Sequence, residues 1–131
     1  MIGRALLDTN IVIKVLQNDT SVLKKVCTFS EIYIPNIVVG ELYFGAYKST
    51  KVQDNIRKIE EFIIFNSVLD CNVSTSKIYG DIKNKLKLRG KPIPENDIWI
   101  ASIAKQHNLK LITMDNHFTE VDSLDYFLIE K

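Results

Sequence analysis

Four carboxylates in this sequence stand out for what surrounds them. Asp8 closes the apolar run Ala5-Leu-Leu7, and Glu41 interrupts the apolar stretch Val38-Val-Gly-Glu-Leu-Tyr-Phe44. Asp97 precedes Ile98-Trp-Ile-Ala101, and Asp115 follows Leu111-Ile-Thr-Met114. A carboxylate removed from water without a partner costs several kcal/mol or is driven neutral. Several drawn together repel one another unless a cation lies between them. No Lys or Arg adjoins any of the four in sequence. Hard oxygen donors of this kind suit Mg²⁺ or Mn²⁺, which keep several waters and take one or two direct carboxylates each. Taken singly, Asp8, Asp97 and Asp115 have ordinary explanations as a strand end, a helix start and a turn residue. Glu41, in an apolar helix, is harder to explain in such a way.

The elements that must position these groups alternate between strand and helix. Arg4–Asp8 reads as a buried strand, apolar without alternation, as in a parallel sheet covered on both faces. A short helix over Ile11–Leu16 follows, then one capped by Asp19 or Thr20. Glu31–Ile34 is a second strand, and Pro35 leads into the helix that carries Glu41. An amphipathic helix runs from Val52 to Phe62, a third strand from Val68 to Cys71, and a long helix from Ser74 to near Gly90. The loop Lys91-Pro-Ile-Pro94 leads to a helix over Asn96–His107. Leu109–Thr113 is a fourth strand and Tyr126–Ile129 a fifth, at an edge. This order predicts a three-layer α/β/α sandwich around a mostly parallel sheet. Ligands bind outside the carboxyl ends of such strands, where Asp8 and Asp115 fall.

The chain's 131 residues match one domain with one core, so 1–131 is read as a single unit. Its opening Met1-Ile-Gly-Arg4 lacks the pattern of a secretory leader, and no apolar run approaches the about 20 residues that span a bilayer. A cytoplasmic protein without membrane attachment is expected. Cys27 and Cys71 do not form a zinc pattern and are expected as reduced core residues. With a net charge of +1, contact with a nucleic acid needs locally concentrated positive charge. The run Lys83, Lys85, Lys87, Arg89, Lys91 offers it, with a solvated helix surface as the plain alternative. His117 lies two residues beyond Asp115 and is a candidate for substrate contact; His107 sits at a helix end. Tyr43, Phe44 and Tyr47, on or beside the Glu41 helix, read as core or interface aromatics.

Leu6-Leu-Asp-Thr-Asn-Ile11, Val39-Gly-Glu-Leu42, Asn96-Asp-Ile-Trp-Ile-Ala101 and Leu111-Ile-Thr-Met-Asp-Asn-His-Phe118 together resemble the motifs of PIN-domain proteins. They resemble most closely the VapC-type toxins of bacterial type II toxin–antitoxin modules. The likeness runs along essentially the whole chain, with all four motifs in order. It implies a Mg²⁺- or Mn²⁺-dependent endoribonuclease with acidic positions at Asp8, Glu41, Asp97 and Asp115. Asp8, Asp97 and Asp115 are the expected metal ligands; Asn10 and Thr113 are the expected supporting residues that orient them. Lys83, Lys87, Arg89 and His117 are the expected RNA contacts. The resemblance further implies an antitoxin protein partner and a homodimer, and its subgroup includes toxins that cut tRNA, initiator tRNA among them.

Two other classes compete. A receiver domain would use Asp70, at the end of the third strand, as phosphoacceptor; it would need an acidic pair after the first strand, where this chain has Asp8 followed by Thr9-Asn10. A haloacid-dehalogenase-type phosphatase needs a second Asp where Asn10 stands. A PIN-like module that only binds RNA or protein is the third alternative. A metal-free mechanism based on the two histidines leaves the acidic quartet without a role.

Overall fold

The computed structural model of the protein describes residues 2–130. Five strands make one parallel sheet: β1 (Ile2–Leu7), β2 (Phe29–Pro35), β3 (Ser67–Leu69), β4 (Lys110–Thr113) and β5 (Tyr126–Leu128). Six helices flank it: α1 (Thr9–Leu16), α2 (Thr20–Val26), α3 (Asn36–Tyr47), α4 (Val52–Ile64), α5 (Val73–Leu88) and α6 (Glu95–Gln106). A short 3₁₀ helix, Asn116–Glu120, joins β4 to β5. The expected α/β/α sandwich is the observed one.

The sheet order is β3-β2-β1-β4-β5. From β1 the chain builds outward through β2 and β3, then returns to lay β4 and β5 on the other side of β1. The two halves part between β1 and β4, which opens a crevice at their carboxyl ends. The same order excludes the receiver reading. In that fold the third strand pairs with the first; here β3 is an edge strand separated from β1 by β2, and Asp70 is exposed.

The central strands are apolar because both of their faces are covered. Ala5, Leu6 and Leu7 of β1 and Leu111, Ile112 and Thr113 of β4 are all buried. The largest wholly buried side chain is Phe118, inside the 3₁₀ helix. It ties the segment just after Asp115 into the core beneath.

Local capping accounts for most differences from the expected boundaries. Asp19 caps α2 by accepting from the Val22 amide. Asn72 caps α5 in a reciprocal box with Thr75, so β3 ends at Leu69 rather than Cys71 and the helix starts before Ser74. Gly90, at φ +66°, ends α5 with its successor's amide on the Leu86 carbonyl, a left-handed turn that suits glycine. Cys27 and Cys71 are both free. The expectation of two core cysteines fails for Cys27, which is exposed because it follows the last turn of α2 on the surface. Phe44 and Tyr47 are exposed as well, at 65% and 64%, so the apolar character of α3 extends beyond its buried face.

Phe118 generates a prediction. Phe118→Ala should lower the unfolding free energy by about 3–5 kcal/mol, the usual cost of emptying a large core site. Urea unfolding measures it, and a loss below about 1 kcal/mol would show that the 3₁₀ helix is not anchored through this ring.

Candidate metal centre

The site is built outward from the pairing of β1 with β4. In register, Leu7 is opposite Ile112, and the Asp8 amide continues the ladder by donating to the Ile112 carbonyl at 3.0 Å. Asp8 therefore comes to rest beside Thr113. The Thr113 hydroxyl donates to Asp8 Oδ2 at 2.7 Å, and the Thr9 amide donates to Oδ1 at 2.8 Å as Asp8 caps α1. Both carboxylate oxygens are thus held, and the residue is 4% exposed.

The other acids arrive from three directions. Asp97 stands in the first turn of α6, where its amide bonds to the Pro94 carbonyl. The preceding Pro-Ile-Pro segment is poorly suited to helix and sets this start. Asp115 caps the 3₁₀ helix by accepting from the His117 amide at 3.0 Å, while its own amide donates to Thr113 Oγ1 at 3.0 Å. Three carboxylates thus sit at helix amino ends, where the partial positive charge of free amides favours them. Glu41 comes from mid-α3, and its Oε1 accepts from the Thr9 hydroxyl at 2.9 Å. One hydroxyl-bearing dipeptide edge, Asp8-Thr9, links two of the acids.

Electrostatics confirm that these groups feel one another. Burial is the largest influence on Asp8 and pushes its pKa up to about 6; the bonds from Thr113 and Thr9 oppose this, and the charges of Asp97 and Glu41 add to it. Asp97 is also raised, first by burial, with the His117 bond opposing and the charges of Asp115 and Glu41 reinforcing. Among the described residues, no Lys or Arg pairs with Asp8, Glu41, Asp97 or Asp115. A donor set of one buried and three half-buried carboxylates that repel one another, with no Lys or Arg partner among the described residues, fits a divalent cation.

Residue types alone do not point to Thr9, whose hydroxyl reaches Glu41 from the position directly after the capping Asp8. Asn10 was expected to orient a carboxylate; instead its Oδ1 accepts from the Met114 amide at 3.3 Å and steadies the loop that carries Asp115. His117 turns to the acids, with Nδ1 at 3.2 Å from Asp97 and 3.0 Å from Asp115. A cleft of about 590 Å³ opens beside Asp115, lined by Asn10, Met114, Asn116, His117, Leu128 and Glu130 among others. The basic run lies apart from these contacts. Lys83 pairs with Glu95 at 3.1 Å and Lys85 with Asp81 at 3.1 Å. Arg89 pairs with Asp122 at 3.0 Å and donates to the Glu120 carbonyl, while Lys87 projects from the exposed side of α5.

The model of the PIN domain matches residues 5–124. The chain belongs to the PIN-domain family. It is 38% identical over 112 residues to "Ribonuclease VapC2" of Haemophilus influenzae, an alignment covering 82% of this chain and 83% of that protein. A "tRNA(fMet)-specific endonuclease VapC" of Shigella flexneri is 29% identical over 110 residues, covering 82% and 83%. Among solved structures, VapBC2 from Rickettsia felis bound to a promoter DNA fragment superposes with a TM-score of 0.89 at 26% identity, covering 98% of this chain and 100% of that one.

The raised Asp8 pKa makes a prediction about stability. Its pKa is higher in the fold than the ordinary 3.8, so folding favours the protonated form. In the metal-free protein that contribution is complete below about pH 3.8 and is lost as pH rises through about 6. The shift corresponds to a loss on the order of 3 kcal/mol, with Asp97 acting in the same direction. Urea unfolding in EDTA at pH 4.5 and 7.5 should show the decline, and Asp8→Asn should flatten it. An undiminished decline in the variant would remove Asp8 from this role.

Proposed function

We propose that this protein is a divalent-metal-dependent endoribonuclease, the toxin of a type II toxin–antitoxin module, and that Asp8, Glu41, Asp97 and Asp115 form its catalytic site. The observation that carries the reading is the convergence of these carboxylates, with no Lys or Arg partner among the described residues, at the strand ends where the sheet order reverses. Membership of the PIN family and relatives named as VapC ribonucleases support it. The whole chain, 1–131, acts as the nuclease unit.

Asp8, Asp97 and Asp115 are the residues that would hold Mg²⁺ or Mn²⁺, with Glu41 completing the acidic rim. A bound divalent cation supplies Lewis acidity for activating water and neutralising phosphoryl oxygens. The protein's own share is orientation. Thr113 fixes Asp8 from one side and Thr9 from the other, while Thr9 also holds Glu41. Asn10 steadies the Asp115 loop, and the cleft beside Asp115 is where a segment of the substrate would lie. Lys87, with Lys83 and Arg89 nearby on α5, offers phosphate contacts further out. In this reading the RNA is a tRNA, as in the name of the Shigella flexneri relative. The enzyme acts in the cytoplasm as a homodimer until an antitoxin protein covers the acids.

Water attack with departure of the 3′-oxygen leaves 5′-phosphate and 3′-hydroxyl ends. Incubation of tRNA and total RNA with the protein in Mn²⁺ should give such ends, and EDTA should abolish cleavage. A cyclic 2′,3′-phosphate formed equally in EDTA would overturn the mechanism, and inertness on every RNA would favour a module that only binds. Thr113→Val keeps the side chain's shape but removes the bond to Asp8. It should lower kcat about 10- to 100-fold with little change in KM, as loss of such supporting bonds does at metal sites; full activity would dismiss Thr113 as a positioning residue.

A further inference from the structure

His117 occupies the first turn of the 3₁₀ helix, and its backbone amide and its ring both address Asp115. The ring nitrogen Nδ1 lies between two carboxylates that come from different elements, Asp97 of α6 and Asp115 of the β4 end. Among the described residues, Asp97, Asp115 and His117 are the one group of three metal-ligating side chains whose donor atoms all fall within 4.8 Å of one another. Neighbouring ligands on an octahedral ion with bonds near 2.1 Å stand about 3 Å apart. The two nitrogen–oxygen separations here, 3.0 and 3.2 Å, match that edge. Without an ion, the same nitrogen bridges the acids through hydrogen bonding, which keeps the ring facing them. With the ring proton on Nε2, the Nδ1 lone pair is free for coordination.

We propose that His117 is a nitrogen ligand of the cation held by Asp97 and Asp115, and that it biases this centre toward Mn²⁺ over Mg²⁺. Mg²⁺ dehydrates reluctantly and takes oxygen donors, whereas imidazole is an accepted ligand of first-row transition ions. The inference rests on the metal-centre reading above. It makes His117 part of the centre rather than a contact to RNA alone. His107, which follows α6 and has its carbonyl bonded to Arg4, serves as the internal comparison.

The test measures binding rather than cleavage. Mn²⁺ is titrated into wild type, His117→Gln and His107→Gln, its affinity is followed by electron paramagnetic resonance, and Mg²⁺ affinity is followed by competition. Electron spin-echo spectra of the bound Mn²⁺ then report directly coordinated nitrogen. Nitrogen modulation should appear in wild type and His107→Gln and vanish in His117→Gln. The His117 change should weaken Mn²⁺ about tenfold and Mg²⁺ by less than about twofold. Because His117 is 48% exposed on its side chain, the variant should keep its melting temperature in EDTA, which checks the fold. Bound Mn²⁺ without nitrogen modulation, or equal weakening of both ions, overturns the proposal and leaves the acidic centre standing. No Mn²⁺ binding by the wild type overturns both.

Discussion

The hydroxyl bond from Thr113 to Asp8 joins the ends of the two strands at which the sheet reverses its order, and most of the site depends on it. It exists because the β1–β4 register places Asp8 beside Thr113, and it holds a carboxylate at 4% exposure where burial disfavours its charge. The same Thr113 oxygen accepts from the Asp115 amide, so one side chain sets the positions of two acids. The helices then moderate the repulsion, since Asp8, Asp97 and Asp115 all lie at amino ends. Glu41 lacks that help and is held by Thr9 instead.

Much of this was legible from residue types. The unbroken apolar runs before Asp8 and Asp115 mark strands buried on both faces, and strand order alone puts both acids at carboxyl ends. Glu41 was legible for another reason: a charged group in an apolar helix demands a partner. The exposure of Phe44 and Tyr47 qualifies that argument, because α3 is apolar on its outer side too. What the chain conceals is reach. The approach of His117 to Asp97, 20 residues away, depends on how α6 packs against the 3₁₀ helix, which no local pattern encodes. The capping box at Asn72 is hard to read from sequence because Thr75 fills the place usually taken by Glu or Gln.

The roles of the acids are less even than their types suggest. Asp8 is the most deeply buried and the most firmly bonded, while Asp97 and Asp115 stand closer to solvent and share His117. The outer pair thus borders the cleft, and the inner acid is fixed by the sheet. The basic residues of α5 divide similarly: Arg89 bonds to the segment around Glu120 and Asp122, and Lys87 remains turned to solvent.

The sheet's margins bear on how the molecule can associate. β3 and β5 are each three residues long. Strand addition needs a run of free amides and carbonyls along an edge, and segments this short offer little backbone to pair with. The margins are therefore poor templates for intermolecular β-sheet. Association through the helical layers would instead draw its specificity from side-chain shape and charge.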